Sequence, residues 1–122
     1  MRRESFLRSV KAAVRGLIYT FRHERNFRIE TCIALGVLCA LVVLRASWQQ
    51  AAIVVMMVFL FFMIELMNTV NESIVDILKL RKHPYAAVIK DMSAAMVLVL
   101  AIGASIVGGI IFLPLLVRYF SS

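Results

Sequence analysis

"AAIVVMMVFLFFMIELMNTVNESIVD", residues 51–76, begins as a stretch suited to hydrocarbon and ends as one suited to water. Residues 51–64 are wholly apolar, and with 65–67 they form a membrane span. Glu65, Asn68, Glu72 and Asp76 then follow at spacings of three, four and four. On an α-helix those spacings share one face. Measured from the outer end of a roughly 30 Å hydrocarbon core, helical rise puts Glu65 about 20 Å deep. Glu72 lies about 10 Å further along, at or beyond the opposite surface. A carboxylate at the depth of Glu65 costs several kcal/mol unless paired or protonated, and so marks function by default. A structural partner, such as a buried Arg, is the alternative. Glu72 and Asp76 taken alone would equally suit a solvated helix end.

The flanking sequence sets the class. Residues 92–117 carry no charge for 26 residues, and about 20 apolar residues suffice to cross a bilayer. Residues 31–44 make a shorter span, completed if 27–30 lie at the interface. Hydrophobic residues form 62% of the 122, against roughly half in a soluble domain. The expectation is one all-α integral membrane domain covering 1–122, with spans at about 28–46, 50–70 (continuing to 79) and 91–118. Before them, "FLRSVKAAVRGLIYTFR" (6–22) sets Phe6, Val10, Val14, Leu17 and Phe21 in one stripe, with Arg8, Lys11, Arg15 and Arg22 on another flank. This predicts an amphipathic helix over 5–25 lying in the membrane interface. Trp48, in the short link "RASWQQ", fits an interfacial anchor. Pro84 suits the first turn of the helix that leads into the third span. Ala101, Ser105 and Gly109 repeat every fourth residue, a spacing that allows close helix packing.

Charge distribution orients the chain. Eight of the 14 Lys and Arg fall in residues 1–28 and four more are Lys79, Arg81, Lys82 and Lys90, leaving only Arg45 and Arg118. By the positive-inside rule the N-terminus is cytoplasmic and the C-terminus outside. The net charge of +7 is therefore a topology signal rather than a nucleic-acid footprint. The first 28 residues hold no apolar h-region, so a signal peptide is not expected. Cys32 and Cys39, seven apart in the first span, are too distant for a disulfide within one helix. They read as small core residues.

The polar residues narrow the chemistry. All seven acidic residues except Glu4 gather near the inner interface: Glu24, Glu30, Glu65, Glu72, Asp76 and Asp91. The five glycines, at 16, 36, 103, 108 and 109, form no phosphate loop, and no His or Cys cluster reads as a zinc site. Carboxylates plus Asn are hard oxygen ligands of the kind Mg²⁺ takes, through one or two carboxylates and substrate phosphate. Arg81, Lys82 and Lys90 supply positive charge directed at phosphate. Together these favour phosphoryl transfer to an acceptor already in the membrane.

"ERNFRIE" (24–30), "ELMNTVNESIVD" (65–76) and "HPYAAVIKDMSAAMVLV" (83–99) resemble the prokaryotic diacylglycerol kinase and undecaprenol kinase family. "VRGL" near the start and "GGIIFLP" near the end extend the likeness over nearly the whole chain. Val70–Asn71 departs from it, since the family usually has Ala and an apolar residue there. The resemblance implies a small three-span lipid kinase of the bacterial plasma membrane, working as a homotrimer with active sites shared between subunits. It implies that Glu65 accepts the proton of the lipid hydroxyl, and that Glu24 and Glu72 hold Mg²⁺ at the ATP phosphates, supported by Asn68 and Asp76. Arg8, Glu24, Glu72, Arg81, Lys82, His83, Lys90 and Asp91 match nucleotide-binding positions; His83 taken alone would read as a turn histidine. Glu30 either joins this site or pairs with nearby Arg residues.

The acceptor is undecaprenol or diacylglycerol, giving undecaprenyl phosphate or phosphatidic acid. "HERNFRI", the "HP" turn and "GGIIFLP" resemble undecaprenol kinases, whereas Glu30 and "KDMSAA" resemble diacylglycerol kinases; the balance leans to undecaprenol. The depth of Glu65 implies that the lipid slides in between subunits with its chains still in hydrocarbon. No apolar cavity is needed to enclose them. Two other classes compete: a proton or cation conduit with Glu65 as relay, and a degenerate, non-enzymatic scaffold. The first leaves the cytoplasmic acids and the basic turn without a task, and intact Glu65, Asn68, Glu72, Lys90 and Asp91 weigh against the second.

Overall fold

Residues 44–47 turn the chain back between two long helices, and local hydrogen bonds close the turn. In the computed structural model, which describes residues 2–122 apart from the side chain of Arg81, α2 (Arg25–Val43) ends at Leu44 and α3 (Trp48–Ile77) follows. Arg45 adopts φ 52°, the left-handed conformation usual just past a helix end. The Arg45 N–H then reaches the Val42 carbonyl at 3.1 Å, and the Ala46 N–H reaches that of Leu41 at 3.0 Å. Ser47 starts α3 with a capping box. Its hydroxyl accepts from the Gln50 N–H at 3.2 Å, while the Gln50 side chain accepts from the Ser47 N–H at 2.9 Å. So short a link makes α2 and α3 antiparallel neighbours.

Two further helices complete the chain: α1 (Arg2–His23), and α4 (Pro84–Ser121) after a 3₁₀ turn at Leu80–Lys82. Pro84 opens α4, and Pro114 lies inside it without ending it. The described residues contain no strand. Helices α2, α3 and α4 are each long and apolar enough to cross a bilayer, and the chain is an all-α integral membrane protein. The second span proves to be one 30-residue helix that carries the acidic ladder past the apolar run.

Different chemistry holds the two ends of the bundle. At the far end Leu41, Leu44, Val54, Ile111 and Leu115 form a buried apolar cluster joining all three spans. There Arg118 donates from Nη2 to the carbonyls of Leu44 and Arg45, at 3.0 and 2.9 Å. A cation suits that place, because the last carbonyls of α2 lack helical partners. At the charged end the rings of Phe27 and Phe62 meet at 5.2 Å. Arg28 donates to the carbonyls of Phe21 and Arg22, both at 2.9 Å, and so holds the end of α1 against α2. Within one chain at most 11% of any span is buried, so lipid or further copies must cover the rest. In the Ala101–Ser105–Gly109 stripe, Ser105 is exposed, and a Cβ at Gly109 would meet no atom within 4 Å.

Candidate active site

Glu65 is only 5% exposed, although it is a carboxylate in a chain whose surface is mostly open. It lies where α3 passes the junction of α1 and α2. Glu24 is the single residue between those two helices, with an extended backbone (φ −106°, ψ 112°) and its N–H bonded to the Thr20 carbonyl at 2.8 Å. That extended residue sets a half-buried carboxylate beside α3. Glu24, Glu30 and Glu72 all lie close enough to Glu65 to interact with it electrostatically. Among the described residues, the charged groups that act most strongly on Glu65 are the carboxylates Glu24 and Glu72.

A cavity of about 280 Å³ opens at this point between α2, α3 and α4. Glu65, Asn68 and Glu72 enter it from α3 and Lys90 from α4. The acidic ladder of one helix thus faces a single ammonium on the next. An ammonium opposite carboxylates can balance the charge of a polyphosphate brought between them.

Of the other expected residues, Glu24, Asp76, Asp91, Lys82, His83 and Arg8 do not line this cavity. Asp76 lies one turn beyond Glu72, exposed to solvent but not without a partner. Asp91 is exposed on α4, turned about 100° from Lys90 by helical geometry. Lys82 and His83 are exposed in the turn before α4. His83 has a local task, since its Nδ1 accepts from the Tyr85 N–H at 3.2 Å and caps α4. Arg8 is exposed early in α1. The side chain of Arg81 lies outside the described residues.

Four polar residues join the cavity that the ladder alone did not indicate: Asn26, Glu30, Asn71 and Ser93. Asn71 donates from Nδ2 to the Ser93 hydroxyl at 3.1 Å, linking α3 to α4. This gives the unusual Asn71 a physical role. Its signal in the sequence was its spacing of three from Asn68, matched by Ser93 three after Lys90. Glu30 lies in the wall of the cavity. Its Oε2 is buried without a hydrogen-bond partner, and the neighbouring Arg28 is engaged with the carbonyls of α1.

Among the described residues no three or more His, Cys, Asp or Glu side chains converge as a metal cage. Mg²⁺ does not require one, because one or two carboxylates suffice when phosphate and water complete its shell. Glu24 and Glu72, hard oxygen donors flanking Glu65, fit that need.

The sequence profile described as "Prokaryotic diacylglycerol kinase" matches residues 11–112 of the chain. A diacylglycerol kinase of Synechocystis sp. is 37% identical over 111 residues, covering 90% of this chain but only 63% of that protein. An undecaprenol kinase of Bacillus subtilis is 36% identical over 109 residues, covering 89% of each. A diacylglycerol kinase of Haemophilus influenzae is 28% identical over 107 residues, covering 87% and 91%.

Proposed function

The chain belongs to the prokaryotic diacylglycerol kinase family, and we propose that it transfers the γ-phosphoryl group of ATP to the hydroxyl of a membrane lipid. The observation that carries this reading is one buried carboxylate, Glu65, sharing a cavity with Asn68, Glu72 and Lys90. A conduit would explain Glu65 but give Glu72 and Lys90 no task. In the proposed reaction the lipid oxygen bonds to the γ-phosphorus and its proton passes to Glu65. The bond from phosphorus to the β–γ bridging oxygen breaks, and ADP leaves. Glu24 and Glu72 would hold Mg²⁺, which when bound would offset the phosphate charge. Asn68 orients that cluster and Lys90 faces the phosphates, while Arg8, Lys82, His83 and Asp91 contact the nucleotide from outside the cavity, and Arg81 contacts it as well. Asp76 supports the wet end of the ladder.

We place the charged end of the bundle in the cytoplasm, where ATP is, with the N-terminus inside and the C-terminus outside. A homotrimer with shared sites accounts for the large apolar surface left open on one chain. The relatives do not choose the lipid, since proteins of similar identity are named for diacylglycerol and for undecaprenol. We propose undecaprenol, a slim allylic alcohol, as the preferred acceptor. Initial rates of label transfer from γ-labelled ATP into extracted lipid, at equal mole fractions in mixed micelles, test both levels. The expected result is a several-fold preference for undecaprenol, on the order of 1 kcal/mol. A preference for diacylglycerol reverses the lipid assignment, and transfer to neither removes the kinase reading.

A further inference from the structure

A second cavity adjoins the first. It measures about 420 Å³, lies among α2, α3 and α4, and shares Glu30 with the polar cavity. Glu30 is the one polar residue in its wall among the described residues; Ala34, Phe61, Ala104 and Gly108 typify the remainder. Along α3 it runs from Phe62 to Val54, about 12 Å by helical rise, from near the middle of the bilayer toward the far end of the bundle.

We propose that this cavity takes the first segment of the acceptor's chain and admits a polyprenyl alcohol in preference to a diacylglycerol. The inference rests on the lipid kinase reading above. Three features carry it. The polar group sits at one end only, beside Glu65, so a chain lying in the cavity delivers its terminal hydroxyl to the candidate base. The volume holds roughly 14 heavy atoms at about 30 Å³ each, or two to three five-carbon isoprene units of a single chain. The apolar wall offers no donor to ester carbonyls, which would be buried without partners. A diacylglycerol brings two such carbonyls and a second chain. This modifies the expectation that no cavity encloses the lipid: the segment next to the hydroxyl is selected, and the remainder of the chain stays in the bilayer.

Ala34, Ala104 and Gly108 leave the space open because their side chains are small. A Cβ at Gly108 would meet no atom within 4 Å, so a larger residue there fills the cavity without striking the backbone. For Gly108→Leu the expected effect is a rise of about tenfold in KM for farnesol, with KM for dioctanoylglycerol within about twofold of the parent. Equal KM values for farnesol in parent and Gly108→Leu would overturn the proposal.

A photoreactive farnesol analogue, added to the unsubstituted protein in mixed micelles, tests the same point without turnover. Label is expected at Phe61, Ala104 or Gly108. Label confined to the groove between α1 and α3, at Leu17, Phe21 or Met63, would overturn the cavity assignment even where phosphoryl transfer is normal. Label in the cavity with no transfer to any lipid would support the cavity and remove the kinase reading instead.

Discussion

The side-chain amide of Asn71 donates to the Ser93 hydroxyl at 3.1 Å and fastens α3 to α4 beside the cavity that holds Glu65. The bond lies one residue before Glu72 and three after Lys90, so it fixes the separation of the carboxylate and the ammonium. A hydrogen bond of this kind contributes about 1 kcal/mol. Ser93→Ala should lower stability by roughly that amount, measured by unfolding in detergent, and raise KM for ATP more than it lowers kcat. Asn71→Leu combined with Ser93→Ala should be less damaging than the sum of the single changes. Simple additivity would mean that the two side chains do not act together.

Glu72→Gln should weaken Mg·ATP binding by about tenfold or more, since the amide keeps the shape but loses a charged oxygen ligand. Titration of nucleotide binding against Mg²⁺ concentration checks this. An unchanged Mg²⁺ dependence would take Glu72 out of the metal site.

Arg118→Ala should destabilise the protein by about 1–2 kcal/mol, because the carbonyls of Leu44 and Arg45 lose their shared donor. The transfer rate of the folded protein should stay within about twofold of the parent, as the bond lies at the end of the bundle away from Glu65. A large loss of kcat with unchanged stability would contradict this division of roles.

Much of this architecture was legible in the sequence, for reasons that can be named. Uncharged runs reveal spans because charge in hydrocarbon is expensive, and the Glu65–Asn68–Glu72 face follows from helical spacing alone. The facing of α3 and α4 was not legible, because it depends on how each helix rotates about its axis. Asn71 therefore stood out only as an odd residue, and its bond to Ser93 was hidden. Arg118 read as a flanking charge, whereas its bonds depend on a turn 73 residues away in sequence. The apolar cavity was hidden for the same reason, since three helices create it jointly through Ala34, Phe61 and Gly108. Spacing put Lys90 and Asp91 together as neighbours, but helical geometry separates them: only Lys90 lines the cavity.

With Cys32 and Cys39 replaced by Ala, cysteine at Ser5 should be protected from an impermeant thiol reagent in whole cells, and cysteine at Ser121 should react. Twelve of the 14 basic residues lie on the side assigned to the cytoplasm. The reverse labelling would place Glu72 and Lys90 away from cytoplasmic ATP.

Glu65→Gln keeps the size and depth of the side chain and removes its ability to take a proton. Side by side with the parent protein, it should be tested for label transfer from γ-labelled ATP into lipid and for equilibrium binding of Mg·ATP. The expected result is a fall in transfer of about 10²–10⁴-fold with nucleotide binding little changed. A near-normal rate at saturating ATP would contradict the assignment of Glu65 as the base, and with it the mechanism proposed for this cavity.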